Sequence, residues 1–419
     1  MLSFGFGDKV INRATQAPEV IPLREVQKAL LENLYLPGYF THDSIWQAVN
    51  FMQFDRSRKK TEIWKKTVDE VFAEMMSVIN ECGASQADPK KFNAEIFLEK
   101  FLANENIFDR QDVENIIYYI GQNAFGRAAG QERHEIVAQE WSDIHREQYL
   151  ENARKMGFIN EVRPMLAKYD ETWVQGAARL RAKSRIEYLK LLQDSGIELG
   201  HMRLLTGERE LHVEIDKMPH ESFEDCKKFI FELAKENEIK AEGFAERIEA
   251  GARRTYLQYA HDENKKVTET MMAKRIYREV FGREIADHDV IDAKTKSGES
   301  RPTTATAAYE ITCNGLLNRI NSGDFKGRAA NILILSNQPF VERQTLTNAR
   351  IAYGEMARLK INQEMIFEGA GEACETGVAA IHSVFGALIG EGFMREIARQ
   401  NRQRKCDISQ LNFQTRYKE

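Results

Sequence analysis

Cysteine is scarce in this chain: Cys82, Cys226, Cys313, Cys374 and Cys406 are five in 419 residues, with no CxxC pair among them. Such spread spacing argues against a disulfide scaffold and a thiolate metal centre, and suits reduced thiols in a cytosol. There is no excess of either charge: 59 basic residues face 64 acidic ones, a net of −5. Nothing in that balance is the footprint of a polyanion binder, so nucleic acid is not an expected partner. No apolar run reaches the roughly 18 residues that a membrane-spanning helix needs. The N-terminus, Met1-Leu-Ser-Phe-Gly-Phe-Gly-Asp-Lys9, lacks the basic start and apolar core of a Sec signal peptide. The expectation is a soluble, cytoplasmic protein. A secretion signal of another kind has no hydrophobic core to find, so non-classical export stays open.

Catalytic signatures are missing too. There is no Gly-x-Ser-x-Gly elbow, no Gly-x-x-x-x-Gly-Lys-Ser/Thr loop and no Gly-x-Gly-x-x-Gly turn. Hydrolase, kinase and standard dehydrogenase readings therefore lose their usual support. His134-Glu-Ile-Val-Ala138 starts like a His-Glu-x-x-His zinc site but has Ala138 in place of the second ligand. His201, His212, His220 and His261 show no ligand spacing among themselves. No metal site is expected, and whether the protein is an enzyme is left open.

What the chain does have is a series of short strand-like runs that end in polar or glycine-bearing turns before helical segments. The clearest is Asn331-Ile-Leu-Ile-Leu-Ser-Asn-Gln-Pro-Phe-Val-Glu-Arg343. A nearly continuous Ile/Leu run reads as a strand buried on both faces, and in open α/β sheets the residues just past its carboxyl end line the ligand crevice. Asp170-Glu-Thr-Trp-Val-Gln-Gly176 and Met202-Arg-Leu-Leu-Thr-Gly207 repeat the design. Asp289-Val-Ile-Asp292 is a weaker third strand, followed by Arg301-Pro-Thr-Thr-Ala-Thr306, where Thr303 or Thr304 suits an N-cap. Met365-Ile-Phe367 reads as a fifth strand, ending at the acidic, flexible turn Glu368-Gly-Ala-Gly371, which suits a metal ligand, a pocket lid or a plain strand-to-helix turn. Strands alternating with helical patterns predict a mainly parallel sheet flanked by helices.

Residues 1–160 read as a separate α-helical N-terminal domain. Ile63, Trp64, Val68, Val71, Phe72, Met75, Met76 and Ile79 share one helical face, and Asp109 caps a second helix that stops near Gly121. The basic run Arg56-Ser-Arg-Lys-Lys60 is diluted by Asp55 and Glu62 and reads as solvated surface. The α/β domain takes residues 161–395, with a charged helical insertion at about 208–262, and 396–419 form a C-terminal tail.

These patterns resemble the YdcF/SanA-like family, a Rossmann-like α/β fold of mostly unassigned function, over about residues 170–392. Trp173-Val-Gln-Gly-Ala177 is similar to the family's first Gly-Gly turn, and Leu205-Thr-Gly-Glu208 to its Ser/Thr-Gly-Gly turn. Thr268-Glu-Thr-Met-Met-Ala273 is similar to its Glu-x-x-Met-Ala helix, and Thr303-Thr-Ala-Thr306 to its Ser-Thr-x-Thr segment. The chain departs at Phe340, where many members have His, at Ala307 and Ala308, and at Glu208. The insertion is a further departure. The resemblance implies a pocket for a nucleotide-like ligand, S-adenosylmethionine included, with the reaction open.

The candidate ligand-binding residues are accordingly Gly176, Gly207, Glu269, Thr304, Thr306, Ser336, Asn337, Gln338 and Arg343. The glycines leave room for backbone N–H groups to meet an anion at helix starts, and the hydroxyls of Thr304 and Thr306 add donors. Arg343 offers a bidentate fork, while Ser336, Asn337 and Gln338 suit a ribose or base edge. Glu269 reads equally well as a pocket carboxylate or an ordinary first-turn glutamate. Of Arg179, Arg181 and Arg185, which follow the first glycine turn, one is expected to reach the crevice, and Arg185 reads as the surface member. The alternative function is a non-enzymatic interaction or exported effector protein, in which the N-terminal helices and the insertion meet a protein partner and the sheet is scaffold.

Overall fold

The computed structural model describes residues 159–239, 266–295 and 302–374, together with Val10–Ile11 and a few isolated helical positions between 69 and 154. The expected N-terminal helical domain, the second half of the insertion and the tail lie outside the described residues.

Five parallel strands form the centre: β2 (Glu171–Gln175), β3 (His201–Gly207), β4 (Val290–Ala293), β5 (Ala330–Asn337) and β6 (Met365–Glu372). A two-residue strand, β1 (Val10–Ile11), pairs in parallel with Phe367 and Glu368 at the edge. Spatial order is β1-β6-β5-β2-β3-β4. The chain runs outward from β2 through β3 to β4, then returns to the other side of β2 for β5 and β6. Strand order therefore reverses between β2 and β5, and their carboxyl ends diverge into a crevice there.

Alternation along the strands splits the core in two. Val174, Leu204, Leu333 and Leu335 face one layer, made by α1 (Arg179–Asp194), α2 (Val213–Asp216), α3 (Phe223–Glu236) and α4 (Glu269–Phe281). Trp173, Leu205, Ile332 and Ile334 face the other, made by α5 (Thr304–Ile311), α6 (Leu317–Ser322) and α7 (Val341–Leu359). The result is an α/β sandwich of three layers. None of the described helices is long and apolar enough to cross a membrane.

One sequence expectation needs correction. The segment read as an acidic turn, Glu368 to Gly371, continues β6, because it pairs residue for residue with Leu333 to Ser336. Glu368 is buried there, accepting from the Tyr169 hydroxyl and, at 2.5 Å, from the Met165 N–H, which leaves it neither a flexible lid nor a metal ligand. The described first half of the charged helical insertion packs into the core. Val213, Cys226, Phe229, Ile230 and Leu233 are core residues, and Ser222 with Asp225 forms a complete capping box that starts α3.

At the amino ends of β2 and β5, Asp170 accepts from both Nη atoms of Arg328 at 2.7 Å and from the Asn331 N–H at 2.9 Å. Burial alone would push this carboxyl up, but Arg328 and the Asn331 N–H outweigh it and hold it below the ordinary 3.8. A carboxylate depressed in the folded state contributes stability above its unfolded value and loses it as pH falls through the folded one. Asp170→Asn should thus lose roughly 1 kcal/mol at neutral pH, a figure kept small because Arg328 is half exposed. Urea melts should show the gap between wild type and variant closing below about pH 4. A gap that persists unchanged into acid would contradict this assignment.

Candidate functional site

The crevice at the β2–β5 reversal is a cleft of about 780 Å³. Its walls come from the start of α1, the end of β3, the α2 segment, and the starts of α4, α5 and α7. Glycine is required at the floor. A Cβ on Gly176 would strike the Glu269 carboxylate and approach the Leu205 carbonyl to 2.7 Å, because the end of β2 lies directly against β3. One on Gly207 would come within 2.9 Å of the Pro302 ring, which carries the chain into α5.

Helix starts give the cleft its electrostatic character. The N-cap residues of α1 and α7, the helices that follow β2 and β5, make no side-chain cap bond, although the Arg179 N–H that opens α1 donates to the buried Asp216 carboxylate at 3.1 Å. The exposed N–H groups and the axial dipole at such ends favour an anion. By contrast α5 is capped from within, since Thr303 and Thr306 exchange backbone and side-chain bonds in a capping box. Six lining side chains are basic (Arg181, Arg185, Arg209, Lys217, Arg343 and Arg350), and two are acidic, Glu214 and Glu269.

Two of these cations are built into the frame. Arg185 is buried and donates to the carbonyls of Gln175 at 2.6 Å and Gly176 at 2.7 Å and to Asn337 Oδ1 at 2.5 Å, tying α1 to both strand ends. It was expected at the surface. Six residues beyond Arg179 it lies on a different face of α1, and that face meets the sheet. Arg179 itself pairs with Glu221 at 2.8 Å and covers the Phe229 ring. Arg209 is the second framed cation, holding Asp216 through two nitrogens at 2.8 and 3.0 Å and Glu269 at 2.9 Å. Glu269 is thus fixed beside Gly176 by a buried arginine.

Of the nine residues singled out from sequence, Gly176, Gly207, Glu269, Thr304 and Arg343 stand together in the cleft wall. The other four do not. Thr306 spends its hydroxyl on the α5 cap and is buried. Ser336 and Asn337 are still part of β5, so they point into packed layers rather than out of a turn. Ser336 donates to Gln344 Oε1, and Asn337 holds Arg185 and Ser184. Gln338 turns away and donates to the Asn160 carbonyl at 3.0 Å.

Sequence reasoning missed Gln175, Lys217 and Arg350, whereas Arg181, one of the three arginines from which a crevice residue was expected, lines the cleft. Gln175 is the most telling: 3% exposed and lining the cleft, it leaves its Nε2 without a hydrogen-bond partner. A buried amide N–H with no acceptor costs on the order of 1–3 kcal/mol. A glutamine placed directly before the glycine that closes a buried strand is the signal that could have flagged it. Phe340, buried beneath Arg181 with the guanidinium 4.8 Å from its ring centre, supplies the apolar wall. No cysteine stands among the described lining residues. Burial first, then the Glu221 and Asp216 carboxylates, push the Cys226 thiol up to about 12.

No protein-family profile, curated protein or solved structure matches the chain.

Proposed function

We propose that the protein binds a nucleotide-like or other anionic small molecule in this cleft, with S-adenosylmethionine among the candidates. The observation that carries the proposal is the meeting, at the reversal of strand order, of the starts of α1 and α7, whose own N-cap residues make no cap bond, with a mostly basic lining and the unpartnered buried amide of Gln175. A phosphate or carboxylate would sit between the first turn of α1 and Arg343. The Gln175 amide would donate to a ligand oxygen or ring nitrogen, Glu269 would accept from a hydroxyl or amine, and Phe340 would lie along a base or other flat group. Such a site belongs to a Rossmann-like domain, and kinship with the YdcF/SanA-like family is part of the same proposal, resting on the residue patterns.

The interaction-protein reading makes the sheet a scaffold, and it would gain from Arg343 and Thr304 being buried in mutual hydrogen bonds rather than facing a pocket. Both instead line the concave cleft, and the first part of the insertion is core. Small-molecule binding is therefore favoured. No nucleophile with an adjoining base stands among the described lining residues, and the proposal is one of binding.

The experiment is a thermal-shift screen of nucleotides, S-adenosylmethionine and sugar phosphates on wild type and Arg343→Ala. A ligand at a hundred times its Kd stabilises a fold by about 2.7 kcal/mol. Wild type should show that shift with at least one compound class, and Arg343→Ala should need roughly 10- to 100-fold more ligand. Equal response of the two proteins would remove Arg343 from the site.

A further inference from the structure

At the opposite end of the sheet from the cleft, two histidines and an aspartate converge. His201 opens β3, and His288 and Asp289 lie in the single 3-10 turn, Asp287–Asp289, that leads into β4. Their ligand atoms all lie within 4.8 Å of one another. His201 Nε2 meets Asp289 Oδ1 directly, and His288 Nε2 is 3.6 Å from the same oxygen. The two rings stand nearly perpendicular, their centres 6.3 Å apart.

We propose that His201, His288 and Asp289 form a binding site for a late first-row divalent cation, zinc in the first instance. Zinc takes imidazole nitrogen and carboxylate oxygen at roughly 2.0–2.2 Å in a tetrahedral arrangement, so its ligand atoms stand roughly 3.3–3.6 Å apart. The His288–Asp289 separation already meets that spacing, and a small rotation of His201 admits the ion. Two imidazoles and one carboxylate select zinc, nickel or copper over magnesium and calcium, which prefer all-oxygen shells. The fourth position opens to solvent, as the 75% exposure of the His288 side chain requires.

The backbone beneath the site is held in place. Arg203 donates to the His288 carbonyl at 3.2 Å, and its Nε pairs with buried Glu171 at 3.0 Å. The same guanidinium lies 3.8 Å from Asp289 Oδ1. That cation opposes a second positive charge, and Glu171 offsets it. Pairing of β3 with β4 places the turn beside His201, although 86 residues separate His201 from the first ligand of the turn, Asp287 excluded. That separation is why helical or turn spacing could not find the set.

The test uses full-length protein stripped with a chelator, then titrated with zinc in competition with a chromophoric chelator. Wild type should take up one zinc more per chain than His288→Ala, or bind that ion at least about tenfold more tightly. His288 is exposed, so its loss leaves the fold intact, and His220→Ala serves as a control that keeps the wild-type stoichiometry. Cobalt bound at the site should show visible bands without thiolate charge transfer, which separates it from any cysteine site, and magnesium should not compete. Identical zinc uptake by wild type and His288→Ala, or a thiolate band that persists unchanged in the variant, would leave a plain His201–Asp289 hydrogen bond and overturn the proposal.

Discussion

Glu171→Ala should destabilise the protein by about 3 kcal/mol, the cost of leaving buried Arg203 without its main counter-ion and with only Asp289, 3.8 Å away, to offset it. Glu171 is fully buried at the start of the central strand β2. One carboxylate oxygen accepts from Arg203 Nε and Trp173 Nε1, each at 3.0 Å, and the other accepts from Arg319 Nη1 at 2.9 Å. Arg203 is only 7% exposed in its side chain and packs on Gly315, where a Cβ would approach its Cζ to 3.1 Å, so the guanidinium has no room to swing out to water. Arg319 is more exposed and can relax. Denaturant melts of Glu171→Ala should therefore show a loss large against a typical total of about 5–15 kcal/mol. Adding Arg203→Met should recover part of it by removing the stranded cation. A loss below about 1 kcal/mol would mean that Arg203 finds solvent and that the buried network is not as drawn.

Arg209→Ala is expected to be at least as costly, about 3–5 kcal/mol, and to act on ligand binding as well. Its guanidinium is the shared counter-ion of Asp216, fully buried, and Glu269, so its removal brings two carboxylates together without a cation. Asp216 keeps the N–H groups of Arg179 at 3.1 Å and His212 at 2.8 Å, which anchor the α2 wall to the start of α1. Glu269 loses its 2.9 Å bond to that cation, which holds it beside the end of β2. The expected result is a lowered melting midpoint together with weakened binding of any cleft ligand. Arg209→Ala combined with Glu269→Gln should regain stability without regaining affinity. Full recovery of both would show that Glu269 does not touch the ligand.

Much of this architecture was legible in sequence because its causes are local. The Ile/Leu run of β5, the glycines closing β2 and β3, and the Thr303 cap each follow from two-face burial, close backbone approach or an N-terminal hydroxyl, and each stands where it was read. The parallel sheet followed from strands alternating with helices. The misplacements arise where a strand end was set too early. β5 and β6 each run on through polar residues, because Ser336 and Asn337 pair with Gly371 and Glu372, and that turns side chains expected in a cleft into packed layers. Depth of burial was equally invisible: helical spacing separates Arg185 from Arg179 on α1 but does not say which face meets the sheet. Clusters such as Arg209 with Asp216 and Glu269, or Arg203 with Glu171, depend on chain crossings that no short window contains.

The most direct test of the cleft as an anion site is X-ray diffraction from crystals of the full chain soaked in tungstate, a phosphate-shaped anion located by its anomalous scattering. The account predicts the strongest peak in the cleft, between the first turn of α1 and Arg343 and within hydrogen-bond reach of both. Peaks confined to surface arginines and lysines elsewhere, with the cleft empty, would contradict it.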